Sequence, residues 1–145
     1  MTINFDKYAQ AGKEFVKRVA FELGDQTDIS RASRLLRATI HALRDQSSME
    51  ESMHFISQLP MFIKAIYVDG WNPGKTKNHF KYLDEFTSAV EENGGFDNFE
   101  NPLEKLRDIQ SVIRVMAEYV SEGEMDDFRR TLPKELRILL ATRTA

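Results

Sequence analysis

The chain writes one short passage twice, and that repetition constrains the fold more than any other feature. The first occurrence is Ser48-Met49-Glu50-Glu51, continuing through Phe55 to Leu59-Pro60. The second is Ser121-Glu122-Gly123-Glu124, continuing through Phe128 to Leu132-Pro133. Ser with Glu three residues on is a capping box: the hydroxyl accepts from the third amide of the helix, and the carboxylate accepts from the cap amide. Leu-Pro at the far end biases the leucine away from helical backbone, and proline suits the first turn of a following helix. Each passage therefore predicts a short helix with a marked start and stop, with another helix directly after it.

The intervening stretches carry helical periodicity. Phe5, Tyr8, Phe15, Val19 and Leu23 predict a helix over residues 4–23 that Gly24 ends. Ile29, Leu36, Ile40 and Leu43, widened by Leu35, Ala38 and Ala42, predict a second over 29–45, with Thr27, Asp28 or Ser30 as its cap. The third helix is the first capped passage, with Met49, Met53, Ile56 and Leu59 expected inside. The fourth starts at Pro60 and runs through Phe62, Ile63, Ile66 and Tyr67 to Gly70. Asp69 to Thr76 is turn chemistry throughout. Beyond it, Phe80, Leu83, Phe86 and Val90 predict a helix ending at Asn93-Gly94-Gly95. Leu103, Leu106, Ile109, Ile113, Met116 and Val120 predict a long one, and Leu136, Ile138, Leu139 and Leu140 a closing one.

These stretches match in pairs. Glu14-Phe15 with Val19 answers to Glu85-Phe86 with Val90 at an offset of 71, and Leu36, Ile40 and Leu43 answer to Ile109, Ile113 and Met116 at 73. The expected architecture is one all-α domain over residues 1–145, a compact bundle of about eight helices. It would be built from two pseudo-symmetric four-helix repeats, about 4–70 and about 79–142, joined by a connector at 71–78. Each repeat would hide the apolar face of the other.

Composition narrows the chemistry. There are no cysteines, so disulfides, thiolate metal sites and thiol catalysis are out. Residues 1–72 hold 9 basic and 9 acidic side chains and residues 73–145 hold 11 and 14, without the basic excess of a nucleic-acid binder. Charges run through residues 1–20, so no signal peptide is expected. The longest apolar run, Met61 to Val68, is broken by Lys64, so no membrane span is expected either. A cytoplasmic location follows as the expectation.

With Leu-Pro in both passages, Tyr67-Val68-Asp69-Gly70-Trp71 after the first and Leu132-Pro133-Lys134-Glu135-Leu136 in the second, the chain resembles a prokaryotic family. That family is catalogued as domain of unknown function number 2267, and the likeness spans about Phe5 to Leu140. The resemblance implies an all-α cytosolic bacterial or archaeal protein and carries over no catalytic residues.

Five constellations could carry function. Glu51 and His54 form a Glu-x-x-His, used in pairs by di-iron bundles. Glu124 and Asp127 could complete such a set, but both motifs sit at helix starts and the glutamates already have capping roles, so no metal ligand is assigned. Gly70 to Thr76 looks like a phosphate loop one residue short, and Pro73 removes an amide donor, so it reads as a turn. Arg34, Arg37, His41 and Arg44 stack on one side of the second helix as a basic stripe; the matching positions Arg107, Gln110, Arg114 and Ala117 keep half of it. Trp71, with Tyr67, Lys75 and Lys77, makes an aromatic–basic patch or a plug between repeats, and Phe96 and Phe99 pose the same choice. The three histidines and adjacent carboxylate pairs show no convergent catalytic arrangement.

The sequence thus points to a non-enzymatic cytosolic module that binds another macromolecule. Arg34, Arg37, His41, Arg44, Trp71 and Lys75 form its candidate surface, and no cofactor is assigned. The partner would be a protein or a second copy, with no membrane. A small-molecule or metal-binding protein with a pocket between the repeats is the alternative, and nucleic-acid binding through the arginines a weaker one.

Overall fold

A computed structural model describes residues 2–75, 79–94 and 101–141. Among them the elements are α1 (Phe5–Glu22), α2 (Ile29–Gln46), α3 (Met49–Gln58), α4 (Met61–Val68), α5 (Leu83–Glu92), α6 (Pro102–Ala117), α7 (Glu122–Thr131) and a closing 3-10 helix, η1 (Lys134–Leu140). The chain is all-α over the described residues, as expected.

Local chemistry sets the helix ends. Asn4, Asp28 and Asn101 accept from the amides of Lys7, Arg31 and Glu104 and so start α1, α2 and α6. Pro102 opens α6 without loss, since its missing N–H would have had no partner in the first turn. Gly24 and Gly94 follow α1 and α5 with φ of +94° and +82°, the left-handed backbone that lets a helix stop. Pro60 stands as the cap residue of α4 rather than inside its first turn.

One apolar core unites the elements. α1 lies against α2, α4 and α6, whereas α5 lies against α2; α2 also touches α4 and α6. α1 thus reaches α6, and α5 reaches α2. Phe15 and Val19 of α1 and Phe86 and Val90 of α5 are fully buried, as are Leu36, Ile40, Ile109 and Val112. Below this layer α3 meets α4 and α7, and η1 covers α6 and α7. Phe55 and Phe128, 73 positions apart, meet edge to face at 5.1 Å where α3 crosses α7.

Several expected core positions face water. Met49 and Met53 are 52% and 57% exposed, because α3 turns Ser52 and Phe55 inward instead, while Ile56 packs on the core and Leu59, just past the helix, is buried as expected. That register gives the core a whole aromatic ring, which outweighs two flexible thioethers. Phe5, Ile29 and Leu103 sit in the first turn of their helices, beyond the edge of the core, and are exposed. The closing helix is 3-10 rather than α. Gly95, Phe96 and Phe99 lie outside the described residues, as do Thr76 and Lys77.

Candidate functional site

The basic stripe of α2 turns toward α4. Arg44 is buried and donates from Nη1 to the carbonyls of Tyr67 and Asp69, both at 2.9 Å. His41 Nε2 donates to the carbonyl of Ile66 at 2.7 Å, so that nitrogen carries the proton. Arg37 pairs with the Asp69 carboxylate at 2.8 Å. His41 and Arg44 thus meet the open carbonyls at the negative end of α4, and Arg37 meets the carboxylate of the residue that caps it. Burial pushes the His41 pKa down, with the nearby Arg44 and Arg37 charges adding to it against the helping carbonyl. Arg34 and Lys75 stand exposed. The Trp71 ring sits edge-on to Tyr67 at 6.0 Å, and the Tyr67 hydroxyl shares a buried hydrogen bond with Ser52 at 2.7 Å. Of the six candidate residues, the structure gathers Arg37, His41, Arg44 and Trp71 around the end of α4.

The Glu-x-x-His region lies in a cleft of about 340 Å³ between α3 and α7, lined by Glu50, Glu51, His54, Glu124 and Asp127 among others. The Glu51 carboxylate closes the α3 capping box by accepting from the Ser48 amide at 2.8 Å, and its second oxygen accepts from the Thr131 hydroxyl at 2.7 Å. Glu124 departs from the expected second box. It pairs with His54 Nδ1 at 3.1 Å, while Gln58 reaches over from α3 to accept from the Ser121 amide at 2.6 Å. Among the described residues no three of His, Asp and Glu are placed to hold a metal ion. The Gly70 turn has φ +71° and folds back on itself, with the Trp71 amide donating to Val68. No helix among the described residues is long and apolar enough to cross a membrane.

Sequence reasoning missed an apolar concavity. A groove of about 570 Å³ runs between α1, the start of α2 and α4. Ala9, Gly12 and Val16 give its floor from α1, Ile29 its end from α2, and Phe62 and Ile66 its wall from α4; Lys13 and Lys17 stand exposed on the rim. Gly12 makes this shape possible. A Cβ there would come within 3.1 Å of the Phe62 Cβ, so glycine lets α4 approach α1 in spite of a cost of about 1 kcal/mol within a helix. Phe62 remains 47% exposed, and Phe5 extends the α1 row seven residues before Gly12 at 70% exposed. The signal was present as a lone glycine inside the first helical pattern, which usually marks close packing.

No curated protein matches the chain. The model of the family described as Uncharacterized conserved protein (DUF2267) matches residues 12–139, nearly the whole helical core just described, and the chain belongs to that family.

Proposed function

We propose that this chain is a non-enzymatic cytosolic module that binds a protein partner by taking an acidic amphipathic helix into the groove between α1, α2 and α4. The observation that carries the reading is the pairing of an apolar floor and wall with two exposed lysines on one rim. Helix-in-groove recognition needs those two ingredients: a trough for a row of side chains at helical spacing, and charge on the flank to select the partner and its direction. From Phe5 to Val16 the α1 row covers three helical turns, about 16 Å at 1.5 Å per residue, which suits three or four anchoring side chains. The half-exposed Phe62 supplies the aromatic contact on which such interfaces concentrate their energy. The arginine stripe of α2 serves this reading indirectly, by fixing α4 and hence the groove wall.

The test is fluorescence anisotropy with a labelled designed peptide carrying leucine at helical spacing and glutamate on both flanks. Wild-type protein is expected to bind it. Phe62→Asp should weaken binding by about tenfold or more, as for loss of an interface anchor. Lys13→Glu combined with Lys17→Glu should shift preference to a lysine-flanked peptide. Equal binding by wild type and Phe62→Asp, or equal affinity for both peptides, would remove the proposal.

A further inference from the structure

Resting on the groove reading above, we infer that the groove takes the outward face of α3 from a second copy of this chain. The α3 face that fails to enter the core presents Met49 and Met53 one turn apart, 52% and 57% exposed. Glu50 stands beside them with its side chain 88% exposed, and α3 contains no lysine or arginine. This is an acidic helix with an apolar row, the chemistry that the lysine-rimmed groove selects. Methionine suits such a row because its unbranched thioether adapts to an irregular trough.

The other acidic helices do not offer this face. α5 also lacks lysine and arginine, but its large apolar side chains Phe86 and Val90 are buried and Leu83 packs on the core. α7 carries Arg129 and Arg130, and its Phe128 is buried against Phe55. α3 is held in its own chain by α4 and α7, so its free face is displayed as a rigid surface. The contact is heterologous, helix to groove, and every copy carries both surfaces.

Sedimentation velocity over a concentration series tests the inference, with circular dichroism confirming the helix content of each variant. Wild type should show a mass above the monomer that rises with concentration and falls with added salt. Phe62→Asp breaks the groove and Met53→Lys breaks the α3 face; each alone should raise the dissociation constant by about tenfold or more. An equimolar mixture of the two should regain association, because one chain keeps an intact α3 and the other an intact groove. If either variant fails to fold, Lys13→Glu with Lys17→Glu and Glu50→Lys form the replacement pair, each weak alone and restored when mixed. A wild type that stays monomeric, variants that associate as wild type does, or a mixture that stays monomeric would each overturn it. A monomeric wild type that still binds the acidic peptide would leave the groove reading standing and remove self-docking alone.

Discussion

The end of α4 and the end of η1 are closed by different means. At α4 the neighbouring helix supplies Arg37, His41 and Arg44, and all three reach the final carbonyls or the Asp69 carboxylate. At η1, the residues 73 positions further on are Gln110, Arg114 and Ala117. Gln110 reaches the last element, donating to the Ile138 carbonyl at 2.8 Å, and Arg114 donates to Ser111 on its own helix. The first segment is an α-helix, and the second is the tighter 3-10 form. Donors from a neighbouring helix can thus substitute for the caps that a short terminal helix lacks. A cleft of about 450 Å³ opens between α6, α7 and η1, lined by Ala117 where the first half places Arg44.

We read these halves as one helical unit written twice, supported by the reciprocal crossings of α1 onto α6 and α5 onto α2. The largest effect tests that reading. Residues 2–75 alone lose the cover of α5, α6 and α7, and should show no cooperative unfolding in denaturant. A cooperatively folded fragment would break the idea that each half completes the other.

Next in size is the contrast between Arg44 and Gln110. Arg44→Ala leaves the Tyr67 and Asp69 carbonyls without their donor and opens a void beside α4, so about 3 kcal/mol should be lost in equilibrium unfolding. Gln110→Ala should cost under about 1 kcal/mol, since it removes one exposed hydrogen bond to the Ile138 carbonyl. Equal costs would erase the distinction drawn between the two ends.

The smallest effect concerns the caps. Ser48→Ala removes the hydroxyl of a closed box and should cost about 1 kcal/mol. Ser121→Ala should cost less, because its hydroxyl accepts the Glu124 amide at a long 3.3 Å and Gln58 already serves the cap amide. A reversed order in urea midpoints would show that Gln58 contributes nothing to the start of α7.

The sequence made the helices legible because their signals are local. The caps at Asp28 and Ser48, the Leu-Pro boundaries and the glycine stops depend on neighbours a few residues away. Facing directions were less legible. α3 carries Met49 and Met53 on one side and Phe55 on another, and periodicity alone does not say which meets a partner ring. The outcome was decided by Phe128, 73 residues distant. The second capping box was misread for a similar reason: Glu124 found His54 across the cleft, a competitor that no local pattern contains. The α2 stripe was visible as a row of basic side chains. Its service to α4 depends on carbonyls, which every sequence has and none displays.

The crossing of α1 onto α6 bears on how the protein is made. Phe15 meets the Tyr119 ring at 4.9 Å and Arg18 pairs with Glu118, contacts that span about a hundred residues. During synthesis α1 therefore keeps one aromatic side bare until α6 and Tyr119 have emerged. Assembly must be a late event, and a nascent chain stalled before α6 would be a target for chaperones.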